Sequence, residues 1–597
     1  MPGHANRIAA HEAGRLLAAA LLMPAAGAAV AADLPAAPVF TVNGRVNAGI
    51  VYRLESTDAR LPFNLNGAAA GVAAINGTGA NADDANLNFR RHDAVSRGAT
   101  GTLDLNVQFR ETRALLRIKG WRDNALRDDA RSWGNAANGY AAGAPLSDAG
   151  APPLSRFSGV VVSDAWVEHR VQAGDWRLLG RAGQQSLDWG TNVAFGGGLE
   201  VLNARDLPAG RRAGATLADA RVPAPLLFVG AEWKRTFGVE AFYQTHFRPN
   251  AIDMCGSFGA ASDYLADGCD KVMSGQPALS DRARVAQGVY LKRLPTPRPG
   301  GSEFGLALRW KLPDLGLRLG AYHARYTSRT AAPGLRKSSR AGPAFIAGDP
   351  DGRNIAFFTE YAEGLRIDAL GFTHDSGAYG ELSRRPRQPL LFGPGDALPP
   401  FMSTTVPALL REDAGAVAPG GLFHGFEQYP MWQAQAGVAR APAGAAGIGW
   451  SFEVVAKHVV GLPDQALRRY GRSDVYGSGP VFGVCSVNMP VPVPALQCSQ
   501  RGYVSANAAA WRARVEARLP ALIDGVTASI AAAMVYDARG WSADFLINQG
   551  RRSASLALRA DYRSHYLFEV AWLPVWGGDY NASADRDVLA LSVGYKF

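Results

Sequence analysis

Val588-Leu589-Ala590-Leu591-Ser592-Val593-Gly594-Tyr595-Lys596-Phe597 ends the chain, and its alternation decides the fold. Leu589, Leu591, Val593, Tyr595 and Phe597 share one parity, while Ser592, Gly594 and Lys596 take the other. A strand turns successive side chains to opposite faces, so this segment has one apolar face and one polar face. A membrane barrel needs such strands, with lipid on one side and a polar lumen on the other. The terminal aromatic resembles the signal read by the outer-membrane insertion machinery.

The same pattern recurs upstream. Trp511, Ala513, Val515, Ala517 and Leu519 alternate with Arg512, Arg514, Glu516 and Arg518. Phe40, Val42, Val46, Ala48, Ile50 and Tyr52 oppose Thr41, Asn43, Arg45, Asn47 and Arg53. Ala114, Leu116 and Ile118 oppose Arg113, Arg117 and Lys119. Eight short turns, the first near 110–112 and the last near 562–565, separate nine long connections. The fold predicted is all-β: a transmembrane antiparallel barrel of about 18 strands (16–18), with short periplasmic turns and long extracellular loops. The segments near 228–234 and 354–374 alternate less clearly. Trp121, Trp166, Trp176, Trp233, Trp310, Tyr322, Tyr326, Trp432, Trp450, Tyr566 and Trp572 are expected to form the two interfacial girdles.

Residues 1–32 read as a secretory signal, with Arg7 and Arg15 ahead of an Ala/Leu-rich stretch and small residues near Ala31. Residues 33–597 then form a single barrel in the outer membrane of a Gram-negative bacterium. The segment 33–39 is too short for a plug domain. Beyond the leader no run of about 18 apolar residues indicates a membrane helix. Cys255 with Cys269 and Cys485 with Cys498 favour two local disulfides over zinc, since neither pair has CxxC spacing or a His cluster.

The formal charge of +10 fits nucleic acid, acidic lipid or an anion-attracting pore. Export argues against nucleic acid, and the basic residues are spread through the strands. The inner-face cations Arg113, Arg117, Lys119, Arg177, Arg181, Arg512, Arg514 and Arg518 have two readings. They brace the lumen against carboxylates such as Glu240, Asp368, Glu453 and Glu516, or they steer anionic solutes. The Gly-rich stretch with Gln184, Gln185, Asp188, Trp189, Asn203 and Asp206 is expected to fold into the barrel mouth. No GxSxG, HExxH or GxxxxGK[ST] occurs, and no catalytic, metal or cofactor residue is assigned. His374 with Ser383 is the one formal hydrolase pairing.

These residues resemble a known family. Arg181-Ala182-Gly183-Gln184-Gln185, Asp188-Trp189-Gly190, Asn203, Asp206, Glu240-Ala241-Phe242-Tyr243-Gln244, Cys255-Gly256 and Gly380-Glu381-Leu382-Ser383 look like the proteobacterial family labelled domain of unknown function 1302. The chain departs from it at Gln184, Thr191 and Ala204. The resemblance implies an outer-membrane barrel set in lipid, working with a periplasmic lipoprotein-like partner and an inner-membrane transporter of the resistance-nodulation-division type. The expected cargo is hydrophobic, amphipathic or lipid-like. A diffusion porin preferring anions, an outer-membrane lipid-acting enzyme and an adhesive barrel are the rivals.

Overall fold

The computed structural model describes residues 37–190, 195–216, 219–444, 447–485, 496–520 and 523–597. The expected leader 1–32 and Thr191 lie outside the described residues. The barrel opens with β1 (Val39–Arg53), β2 (Ala94–Phe109), β3 (Thr112–Asp123), β4 (Ser158–Ala173), β5 (Trp176–Gln185) and β6 (Ala224–Trp233). It continues through β7 (Phe237–Gln244), β8 (Glu303–Leu312), β9 (Leu317–Tyr326), β10 (Leu365–His374), β11 (Ala378–Leu391) and β12 (Phe426–Arg440). The last third is β13 (Ile448–Val459), β14 (Asn507–Leu519), β15 (Val526–Arg539), β16 (Arg552–Tyr562), β17 (Tyr566–Leu573) and β18 (Val588–Lys596).

Each strand pairs antiparallel with its sequence neighbours, and β18 returns to β1 with Arg45 opposite Lys596 and Arg53 opposite Val588. Closure reaches the last residue. The Gly44 N–H donates to the Phe597 carbonyl at 2.9 Å, and the Phe597 N–H donates back at 3.1 Å. A closed sheet leaves no unpaired edge, which is what allows β-structure to span hydrocarbon. Pro574, without an N–H, interrupts β17, and Val575–Trp576 then resumes pairing with β16.

The alternation read from sequence sets the two faces. Phe40, Val42, Leu227, Val229, Leu306, Leu308, Leu370, Val454, Leu558, Val570 and Val593 stand exposed on the outside. Asn47, Glu168, Gln185, Glu303, Glu381, Gln433, Glu453 and Lys457 are buried on the inside. Trp176, Trp233, Trp310, Trp432, Trp450, Tyr566 and Trp572 lie exposed on the outer surface, as a girdle requires. Trp121, Tyr322 and Tyr326 do not belong to it: they are buried on the inner side. Trp166 also faces inward, under the Arg181 guanidinium at 4.7 Å. A bulge opposite Arg117 shifts the parity of β4, so Asp164, Trp166 and Glu168 share the lumen face.

Eight turns of two to seven residues alternate with nine connections of 12 to 58 residues. The ambiguous stretch 354–374 divides. Leu365–His374 is the barrel strand, while Ala356–Glu360 joins Ala332–Arg336 and Leu422–Phe423 in a small sheet outside the wall. The long connections pack on one another. Phe63, Leu87, Phe89, Trp133, Tyr140, Phe157, Met254, Cys255 and Cys269 form one buried cluster. Leu291, Ile355, Phe357, Leu390, Phe392, Phe423, Tyr470 and Val504 form a second. Both expected disulfides are present, Cys255–Cys269 and Cys485–Cys498. The result is a folded cap over the loop end of the barrel.

Candidate functional site: the lumen-crossing loop

The connection from β5 to β6, residues 186–223, reaches opposite walls of the lumen through its described parts, 186–190, 195–216 and 219–223. Near its start Asn203 clamps the chain: its Oδ1 accepts from the Leu187 N–H and its Nδ2 donates to the Leu187 carbonyl, each at 2.9 Å. That closed base lets Leu187, Trp189, Leu199 and Leu202 pack on Leu226, Phe242, Tyr322, Tyr326 and Ile367 of the wall. Trp189 is the anchor. Its Nε1 donates to Glu240 at 2.8 Å, and its ring meets Phe242 edge-on at 5.0 Å and Tyr322 at 5.7 Å. The ring fits because Gly305 has no Cβ, and one placed there would collide with it.

The middle of the loop crosses to β11–β13. The Phe195 N–H donates to Glu453 at 3.0 Å, and the Leu199 N–H donates to Glu381 at 3.0 Å. Gly197, with φ of 92°, passes close to Gln433, where a side chain has no room. The far end is held by β1 and β3. Lys119 pairs with Asp206 at 2.7 Å with both groups buried, and its ammonium also donates to the Asp219 carbonyl. Arg45 pairs with Asp219 at 2.6 Å. Burial opposes ionisation of Asp219, but the Thr216 hydroxyl and N–H and the Arg45 guanidinium hold its carboxyl below the usual range.

The predicted site residues therefore divide. Trp189, Asn203, Asp206 and Lys119 come together in the loop and its moorings. Asp188 is exposed and pairs with Arg221 at 3.0 Å, while its backbone carbonyl accepts from Arg309. Gln185 is buried and donates to the Leu226 carbonyl. Gln184 is a correction: its parity turns it away from the lumen, and it donates to the Val162 and Ser163 carbonyls at the β4 bulge.

Bracing explains most of the inner cations. Arg117 pairs with Asp104 and Asp164, Arg177 with Glu232, Arg181 with Glu168 and Arg514 with Glu516. Arg512 stands in register with Glu453. Arg113 and Arg518 remain exposed, Arg518 donating to the Gly444 carbonyl at 3.0 Å. Asp368 does not brace the lumen. It faces outward and accepts a 2.7 Å bond with His323. Gln433, Asp219 and Tyr379, whose hydroxyl donates to Glu453, escaped sequence reading, since none forms a local motif; Glu381 was visible only inside the family pattern.

His374 sits at a short turn against Ser376 at 2.8 Å, whereas Ser383 is buried on the inner face of β11, so that pair is not assembled. Among the described residues one carboxylate group is close enough to share a cation, Asp83, Asp84 and Asp263. It lies in the cap, away from the lumen. Burial, with repulsion from the neighbouring carboxylates, pushes Asp83 and Asp84 well above the usual carboxylate range.

No curated protein matches the sequence. Among solved structures, Pseudomonas aeruginosa OccK9 (OpdG) is 10% identical, with 94% of this chain and 98% of that chain covered at a TM-score of 0.37. Acinetobacter baumannii OccAB1 is 9% identical, with 94% and 96% covered at a TM-score of 0.36. The outer membrane channel DcaP of Acinetobacter baumannii is 9% identical, with 94% and 98% covered at a TM-score of 0.31. The fold assignment rests on this chain's own strand pairing and outward apolar band, which place it in the outer membrane of a Gram-negative bacterium. The model of the protein family of unknown function labelled DUF1302 matches residues 12–597, nearly the whole chain, and this outer-membrane barrel therefore belongs to that family.

Proposed function

We propose that the protein is a selective outer-membrane channel for small hydrophobic or amphipathic molecules, gated by the loop that crosses its lumen. The observation that carries this reading is the double mooring of residues 186–223, to Lys119 and Arg45 on one side and to Glu381 and Glu453 on the other. A strap with an aromatic anchor at one end and buried ion pairs at the other narrows the lumen at a fixed level, which favours selection over free diffusion. The hydrophobic or amphipathic cargo is the one that the family resemblance implies. Exposed Arg113 and Arg518 support the second reading, a porin that prefers anions.

Planar-bilayer recording separates the two. The wild-type protein is expected to pass little steady current. Lys119→Met leaves Asp206 buried without its partner, at a local cost of about 3–5 kcal/mol, and the conductance should rise. A large, steady, anion-selective current from the wild type would refute the strap as a gate. The periplasmic lipoprotein-like partner and the inner-membrane transporter implied by the family resemblance belong to this proposal, and crosslinking from the short-turn face of the barrel tests them.

A further inference from the structure

The outer surface of the barrel wall carries charge at a few places near its loop ends: Arg97 and Arg122 are paired there with Asp129 and Asp128, whereas a group of arginines on β9, β10 and β11 is not paired. Along β9, Leu319 and His323 face outward with Arg325; along β10, Arg366 and Asp368 share the outward face with Leu370, whose side chain is 61% exposed. Arg325 and Arg366 stand directly opposite each other in the antiparallel register. Their side chains leave adjacent strands on the same side, with Cβ atoms about 5 Å apart, a placement at which like charges repel. Arg384 follows on β11, opposite Asp368, with its guanidinium 5.7 Å above the Trp432 ring. Among the described residues, Arg325, Arg366 and Arg384 form no ion pair. Asp368, on the same face, is engaged by His323.

Depth in the membrane gives the patch its meaning. Arg325 is one residue from the end of β9 and Arg366 one residue from the start of β10, and both ends lead into the cap. Trp432, exposed on the same face, marks the interface between hydrocarbon and headgroups. Arginines at this level project into the headgroup layer of the outer leaflet and not into water or the lumen. Two guanidinium forks side by side match the oxygens of a phosphate, each able to donate two parallel hydrogen bonds.

We propose that Arg325, Arg366 and Arg384 form a binding site for the phosphate of a phosphorylated glycolipid in the outer leaflet. The anion relieves the Arg325–Arg366 repulsion and fixes this sector of the wall against a particular lipid. The site is independent of the lumen and of whatever the channel passes.

Native mass spectrometry of the detergent-solubilised protein tests it with lipid A, the phosphorylated glucosamine disaccharide anchor of that leaflet, and with its dephosphorylated form. The expected result is binding of lipid A alone, reduced about tenfold or more in the double variant Arg325→Gln/Arg366→Gln, the scale of one lost charge-assisted hydrogen bond. The double variant Arg325→Lys/Arg366→Lys, which keeps the charge, should retain partial binding. Equal binding of dephosphorylated lipid A overturns the phosphate assignment, and equal competition by phosphatidylglycerol overturns the glycolipid assignment. Undiminished binding by the glutamine variant overturns the location. Migration of unheated samples in gels reports whether each variant is folded, and if the glutamine variant is not, the wild-type comparison of the two lipid A forms decides.

Discussion

Trp189 shows how a single side chain fixes the position of a whole segment. Its ring is buried between Phe242 and Tyr322, its nitrogen is satisfied by Glu240, and Gly305 yields the space it occupies. Trp189→Ala removes the packing and leaves Glu240 short of a donor, at about 3–5 kcal/mol. The loss should fall on the loop and not on the barrel, because the wall strands keep their own ladders. Hydrogen exchange over residues 186–223 should quicken while the thermal midpoint of the barrel stays in place. Gly305→Ala should loosen the same loop, by pushing the ring out. Sequence marked Trp189 as notable within its motif, but its partners lie on three other strands, and nothing local announces them.

At the scale of the element, the loop 186–223 is a strap whose ends differ in chemistry. The Trp189 end is held by apolar burial, which is insensitive to pH, whereas the Asp219 end depends on an ionised carboxylate. Asp219 is held below the usual carboxylate range, so its mooring is fully present above the unfolded value of about 3.9 and is lost as pH falls below it. Channel conductance should therefore rise reversibly as pH falls from about 4 through the lowered native value of Asp219, and Asp219→Asn should show raised conductance already at neutral pH. An acid-insensitive current in the wild type would argue that Arg45 and Asp219 do not restrain the loop. The strands were legible because alternation is a local property that lipid on one side and polar groups on the other enforce together. The strap was legible only as an unusual Gly-rich segment, since its path is decided by carboxylates on strands nearly two hundred residues away or more, such as Glu381 and Glu453.

At the scale of the molecule, barrel and cap meet at the strand ends, where Val51 and Val95 join the first cap cluster and Met431 and Val459 the second. The barrel rests on a closed ladder, and the cap on two apolar clusters and two disulfides. Cys255–Cys269 is fully buried within the first cluster, whereas Cys498 is exposed. Mild reductant should open Cys485–Cys498 first and spare Cys255–Cys269, as alkylation and mass mapping would read. The double variant Cys255→Ser/Cys269→Ser should cost the cap about 2–4 kcal/mol, seen as protease cleavage in the long loops while the barrel still resists heat in gels. Loss of the barrel in that variant would mean that cap and wall fold as one unit.

The sequence by itself determined the strand count, the turn asymmetry, the closing role of the Phe597 strand and the sign of the inner wall. Each is read from a period of two, imposed by solvent on one face and lipid on the other, and from where that period breaks; none of the four needs a distant partner. Tertiary structure decided which inward arginines are neutralised, where the loop crosses, that Gln184 and Asp368 face outward, and that Trp121, Trp166, Tyr322 and Tyr326 face inward. Those outcomes depend on a bulge that shifts parity in β4 and on side chains brought together by closing the sheet. Closure places residues far apart in the chain on one lumen, and periodicity carries no record of which will meet.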